Sequence, residues 1–273
     1  MRFGLDVAQQ RMPWKEVAAR ARLADELGFD GVWGFDHFQP MYGEGPGECF
    51  EGTATLAAWS GITERVRMGL LITGMTYRHP AVYAAQAITI DHASNGRLEL
   101  AYGAAWFDKE HTELGIPFPP LKQRIDAFEE AVQILRGLLT TDGFTFEGEH
   151  FSVHDATLLP RPVQRPHPPI WIGAWGEQRM MPIAARYADV WHTWGTPESM
   201  TPKSERFSVL AEKAGRDPGE ILRASSLSLE DDLDTIANNV GEWEKAGIGY
   251  LVCGWPPEGR SAVEAFAKRF LSA

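Results

Sequence analysis

Cysteine is nearly absent: Cys49, in a glycine-rich loop, and Cys253, in an apolar strand, are the two in 273 residues. That excludes a disulfide framework and makes a reducing cytoplasm the expected compartment. Positive charge is also scarce. Lys and Arg number 26 against 37 Asp and Glu, a net charge of -11. Such a deficit argues against nucleic acid or an acidic membrane as partner, since both require clustered cations. No run of like charge marks a tail, no segment repeats, and no stretch is compositionally biased. No apolar run is long enough to cross a bilayer, and the first strand begins without a signal peptide ahead of it. What is present is 44% hydrophobic sequence, enough for one large core and close to the roughly 250 residues of a single barrel.

Short apolar runs alternate with amphipathic stretches along the whole chain. Strands are predicted over 3–7, 31–35, 66–73, 98–102, 170–173, 188–192, 222–227 and 250–253. Helices are predicted over 14–27, 53–61, 80–93, 121–139, 177–187, 202–214 and 231–246, with a last one ending near 271. Eight strand–helix pairs in succession predict a (β/α)8 TIM barrel over 1–273 rather than an open doubly wound sheet. One interruption, at about 140–169, carries a hairpin-like alternation over 144–151 and a proline-stiffened return.

In such a barrel the carboxyl ends of the strands carry chemistry. The second strand ends in Asp36 and His37, which read equally as reactive groups or as a cap and a polar corner. The third offers Leu71, Ile72, Thr73 and Gly74; the fourth Gly103, Ala104, Ala105 and Trp106; the fifth Gly173, Ala174, Trp175 and Gly176. Small residues there suit a flat ligand lying on main chain, though turns use the same residues. Gly176 before a predicted helix offers backbone N–H groups to a phosphate. Trp106, Trp175, Trp191 and Trp194 fall at strand ends and are candidates for an aromatic pocket. No metal centre is expected: His150 and His154 have ligand-like spacing but no third ligand nearby. The glycine-rich loop at 43–47 is not a nucleotide fingerprint and reads as a lid.

Taken together, Gly28-Phe-Asp-Gly-Val-Trp33 with Asp36-His-Phe38, Tyr77-Arg-His-Pro80, Asp91-His-Ala-Ser-Asn-Gly-Arg97, Gly103-Ala-Ala-Trp106 and Ala185-Arg-Tyr-Ala-Asp189 resemble the bacterial luciferase-like oxidoreductase family. The likeness runs from Met1 to about Trp194. Asp36-His-Phe-Gln-Pro40 resembles its deazaflavin branch, which uses coenzyme F420. The resemblance implies that Leu71 and Ile72 form a bulge, often with a non-prolyl cis peptide, backing the ring. It places Thr73, Gly74, Gly103, Ala104 and Ala105 at the ring edge and ribityl chain. Gly173, Ala174, Trp175 and Gly176 belong to the phosphate turn, with Asp36 and His37 beside the reactive centre. It also implies a homodimer.

Departures are equally informative. Ala105 stands where sugar-phosphate dehydrogenases of that branch carry a catalytic Glu, Met41 where they carry an active-site Trp, and Trp175 where Gly is usual. The long excursion that many relatives carry near the seventh strand is missing. These departures argue against sugar-phosphate oxidation. The implied activity is hydride exchange between the deazaflavin C5 and a small organic substrate, with His37 passing the proton, Asp36 beside it, and Met41, Trp106, Trp191 and Trp194 lining the pocket. The alternatives are an FMN-dependent monooxygenase of the same fold and a non-catalytic flavin or deazaflavin binder.

Overall fold

The computed structural model describes residues 1–271. In chain order its elements are β1 (Arg2–Asp6), α1 (Trp14–Leu27), β2 (Gly31–Gly34), α2 (Gly52–Ser60), β3 (Arg67–Leu70), β4 (Thr73–Gly74), α3 (Pro80–Ala93), β5 (Leu100–Gly103), α4 (Asp108–Leu114) and α5 (Leu121–Thr140). There follow β6 (Phe144–Glu147), β7 (Ser152–Ala156), β8 (Ile170–Gly173), α6 (Met180–Tyr187), β9 (Val190–His192), α7 (Pro197–Lys213), β10 (Leu222–Leu227), α8 (Leu233–Lys245), β11 (Tyr250–Cys253) and α9 (Arg260–Phe270).

All strands but the β6–β7 pair join one parallel sheet in the order β3-β2-β1-β11-β10-β9-β8-β5-β4. A parallel bridge from Met68 to Leu98 and the Glu99 N–H to Met68 carbonyl bond at 2.8 Å bring β3 against the start of β5. β3 and β4 are two pieces of one barrel position, interrupted at the cis Leu71–Ile72 peptide. The eight-position (β/α)8 barrel expected from the alternation is therefore present. Its strands read as continuous apolar runs because both faces are buried: β2, β5 and β11 have no accessible position.

Two cores result. Outward-facing residues such as Leu5, Val32, Tyr102, Ile172 and Trp191 pack against the helices. Inward-facing Trp33, Trp171 and Tyr250 fill the barrel, with Trp33 and Trp171 centred 4.3 Å apart and the Trp33 indole N–H donating to the Tyr250 hydroxyl at 3.1 Å. Glycine makes room for them: a Cβ at Gly31 would lie 2.3 Å from the Tyr250 hydroxyl, and one at Gly69 2.3 Å from the Trp33 ring. This packed plug closes the barrel below the level at which the strands end.

Several boundaries differ from the expected ones. α6 starts at Met180, not 177, because residues 177–179 form a turn. α7 starts at Pro197, where a Thr196–Ser199 capping box nucleates it and Pro202 is absorbed near its start. α4 was not anticipated: its seven residues are mostly polar and too few to display a helical period. The excursion at 140–169 does hold the antiparallel β6–β7 hairpin, tied to α5 by the Glu130 carboxylate, which accepts from the Glu149, His150 and Phe151 N–H groups. The loop at 43–47 is anchored rather than free: Arg11 donates to the carbonyls of Tyr42 and Gly45, and Gln10 accepts from the Met41 N–H at 2.7 Å.

Candidate active site

The loop after β2 and the helix after β5 converge on one imidazole. His37 is buried, and its Nδ1 lies 3.1 Å from Glu110 Oε1. The same Glu110 oxygen accepts from the Tyr77 hydroxyl, while Oε2 accepts from the N–H groups of Phe38 at 2.6 Å and Gln39 at 2.9 Å. Burial by itself would raise the Glu110 pKa, but the His37, Tyr77 and Phe38 hydrogen bonds outweigh it and hold the carboxyl below its ordinary range. An ionised Glu110 can only accept, so Nδ1 carries a proton, and in the neutral imidazole the lone pair is on Nε2. Trp106 and Phe107 wall the ring at 6.1 and 5.4 Å between centroids, both nearly perpendicular to it. Tyr77 is fixed in turn by stacking on His111, whose nitrogens are taken by Thr76 Oγ1 and the Phe107 carbonyl.

Asp36, next to His37 after β2, is enclosed by partners of its own. It is 1% exposed and forms a bidentate pair with Arg78, at 2.6 and 2.8 Å, and accepts from the Gly74 N–H at 3.1 Å. Arg78 also reaches Glu51, the N-cap of α2. Burial raises the Asp36 pKa despite Arg78. Through Arg78 and the Gly74 N–H, Asp36 ties β4 to the end of β2.

The floor of the mouth is Ile72. A Cβ at Gly173 would lie 2.0 Å from Ile72 Cδ1, so this side chain fills the space a larger residue at 173 would need, and a Cβ at Gly103 would lie 3.3 Å from its Cγ2. Thr73 turns its hydroxyl outward to accept from Tyr83 at 2.9 Å. Ala104 is nearly buried and Ala105 is held at φ 62°, a left-handed conformation that L-residues adopt at a cost of about 1 kcal/mol. On the opposite rim, the Ala174 N–H and C=O are consumed by the His192 carbonyl and the Trp191 indole, so Ala174 offers no main-chain group to a ligand. Trp175 and Gly176 do: among the described residues their N–H groups have no partner, and a Cβ at Gly176 would meet nothing within 4 Å. Trp106, Trp175 and Trp194 are exposed by 67, 65 and 41% around this opening. Trp191 is not among them. It faces outward, buried and stacked on Phe207 at 4.3 Å, because strand alternation puts its neighbours Val190 and His192 inside.

Sequence reasoning missed three groups. Glu110 lay in an unpredicted helix 73 residues from its partner. Tyr77 appeared only as part of the Tyr77-Arg-His-Pro80 motif, without a role. Asp6 ends β1, and the outward phase of Phe3 and Leu5 places it inward; that phase is the signal that marks it. Burial pushes its carboxyl up to about 6 although it accepts the Ala8 N–H at 2.9 Å. No cluster of potential metal ligands occurs among the described residues. A flat apolar floor, open backbone N–H groups on the rim and two titratable groups at the edge fit a planar cofactor with an anionic tail.

Comparison with known proteins identifies the family and the fold. Residues 1–230 match the sequence profile of the luciferase-like monooxygenase family. The chain is 32% identical over 249 residues to an F420-dependent glucose-6-phosphate dehydrogenase of Microbacterium testaceum (strain StLB037), spanning 89% of this chain and 73% of that one. It is 30% identical over 189 residues to an FMNH(2)-dependent dimethylsulfone monooxygenase of Pseudomonas putida, spanning 68% and 51%. For six such F420-dependent glucose-6-phosphate dehydrogenases the aligned share of their own length runs from 48% to 76%. The fold superposes on an F420-dependent secondary alcohol dehydrogenase in complex with an F420-acetone adduct, with a TM-score of 0.85 and 21% identity over 98% of this chain and 97% of that one. A coenzyme F420 dependent tetrahydromethanopterin reductase from Methanopyrus kandleri gives 0.85 at 18% identity over 99% and 98%.

Proposed function

Because this chain belongs to the luciferase-like monooxygenase family, we propose that it is an oxidoreductase exchanging a hydride between C5 of coenzyme F420 and a small organic substrate. The observation that carries this reading is the His37–Glu110 pair beside the Ile72 floor: an oriented acid–base group next to a surface suited to a planar ring. Leu71 and Ile72 back that ring, while Thr73, Gly74, Gly103, Ala104 and Ala105 offer main chain along its edge. Trp175 and Gly176 give N–H groups to its phosphate. The bound deazaflavin supplies the two-electron chemistry.

The protein's own contribution is proton handling and exclusion of water. With Nδ1–H fixed on Glu110, His37 Nε2 takes a proton from a substrate hydroxyl during oxidation and returns it during reduction. Asp6, with its carboxyl near 6, is a second group able to work in either direction. Met41, Trp106 and Trp194 shield the opening. The absence of a Glu at 105 still counts against a sugar phosphate as substrate, although Glu110 supplies a carboxylate close by.

The FMN reading is kept open by the Pseudomonas putida relative; a binder without chemistry is disfavoured by the maintained His37–Glu110–Tyr77 array. For association we propose a homodimer through α2 and α3. Their outer faces carry Ala54, Ala57, Ala81 and Ala85 along a groove, small enough for two helix pairs to approach closely, and Val82 is 51% exposed. Unpaired Cys49 and Cys253, both held protonated by burial, support a reducing cytoplasm, and no described helix is long and apolar enough to cross a membrane. The test of the reading is F420 reduction or F420H2 oxidation, followed by absorbance, across secondary alcohols, ketones, enones and imines, with glucose 6-phosphate as contrast. Turnover of a neutral small molecule supports it; tight F420 binding with no turnover of any class contradicts it.

A further inference from the structure

Resting on the oxidoreductase reading, we propose that His192 is the substrate-recognition residue of the mouth, receiving an uncharged oxygen (a carbonyl, hydroxyl or amide) of the small organic substrate. The residue ends β9, and its register neighbours are Gly173 on β8 and Ala224 on β10. Trp191 faces outward onto Phe207 and Val190 faces the barrel plug, so His192 faces inward, directly above that plug. Its neighbours on both sides are nearly without side chain, leaving Ile72 on one flank and Trp194 above.

His192 is fully buried, yet among the described residues neither Nδ1 nor Nε2 has a hydrogen-bond partner. Buried polar atoms are almost always paired, and an imidazole with both nitrogens unused is a site looking for a ligand. The acid–base array around His37 does not use it: His37, Glu110 and Tyr77 pair among themselves. Trp194 covers the ring edge-on at 4.7 Å between centroids, is 41% exposed, and has no hydrogen bond among the described residues. Rotation of that indole opens the imidazole to the mouth.

The chemistry of the pocket sets the class of group bound. Among the described residues no charged group offsets the burial of His192, which lowers its pKa to about 3. The ring is therefore neutral, with one N–H donor and one acceptor. It matches a carbonyl or hydroxyl and offers no charge to a phosphate or carboxylate, which would enter without compensation.

Two measurements test this together. In 15N-histidine-labelled protein, with and without F420, the His192 resonances (assigned by their loss in His192→Gln) should shift on adding cyclohexanone or 2-propanol, and stay fixed with acetate or inorganic phosphate. In steady-state kinetics on the best neutral substrate, His192→Leu should raise KM at least tenfold with F420 affinity unchanged, and His192→Gln should recover most of it. A shift with the anions, no shift with either neutral probe, or an unchanged KM in His192→Leu overturns the assignment. Failure of the wild type to bind F420 would instead count against the oxidoreductase reading, and the resonance shifts would still report on His192.

Discussion

Replacing Glu110 by Gln changes one atom and should disarm His37. The carboxylate accepts from His37 Nδ1, the Tyr77 hydroxyl and the N–H groups of Phe38 and Gln39. A Gln can keep its oxygen on the two backbone donors, but its amide N–H groups then face two more donors. Tyr77 can rotate its hydroxyl; the imidazole can comply only by moving its proton to Nε2, which removes the lone pair the substrate needs. Hydrogen bonds to a charged group contribute about 1.5–3 kcal/mol each. Losing the charge on two of them while keeping the shape gives about 3 kcal/mol of destabilisation, a fall in Tm of about 5–10 °C. Turnover should fall by about a hundredfold or more, as for loss of a positioned acid or base. His37→Ala should lose a similar factor, and the double variant little more, because the two act as one unit. F420 affinity should change little in all three. The assay is stopped-flow absorbance of the deazaflavin in a single turnover, beside a fluorescence titration. A Glu110→Gln enzyme with wild-type turnover and affinity would show that the imidazole tautomer is irrelevant. The sign of the pH effect follows too: Glu110 sits below its ordinary 4.5, so its stabilisation is present above that pH and is lost as pH falls through the folded value.

Asp6 has the opposite sign. Its folded pKa near 6 lies above the ordinary 3.8, so stability is full below 3.8 and declines as pH rises towards 6. Asp6→Asn should gain about 1–3 kcal/mol at neutral pH and flatten urea-unfolding free energies between about pH 4 and 6, while lowering turnover; a stability profile that keeps the wild-type slope contradicts the assignment. Gly176→Glu should weaken F420 binding at least tenfold, about 1.4 kcal/mol, by placing a carboxylate beside the phosphate; unchanged affinity puts the phosphate elsewhere. Ala85→Arg should convert a dimer to monomer in sedimentation velocity, and a wild type that already sediments as a monomer refutes the interface.

The architecture was legible because parallel strands buried on both faces read as apolar runs, Trp14–Leu27 carries an amphipathic period, and Pro80–Ala93 is marked by the Pro at its start. The interruption at Leu71–Ile72 was reached through resemblance, not through periodicity, since an apolar run reads the same whether or not the strand breaks. His37 was visible as an imidazole at a strand end, but its partner was not. Glu110 comes from a seven-residue polar helix, and a contact spanning 73 residues leaves no local trace. The partner of Asp36 was hidden for a related reason: Arg78 is supplied by the next strand's loop. Trp191 was placed in the mouth by its position at a strand end, where the inward phase of Val190 and His192 assigns it to the outer core.

The account rests on the mouth accepting a deazaflavin, and an equilibrium titration of the purified protein with F420 and, separately, with FMN, each followed by fluorescence, tests that most directly. Micromolar binding of F420, with FMN at least tenfold weaker, is the result expected from an apolar Ile72 floor with open N–H groups at Trp175 and Gly176. Binding of FMN with none of F420 would contradict it and transfer the chain to the monooxygenase reading.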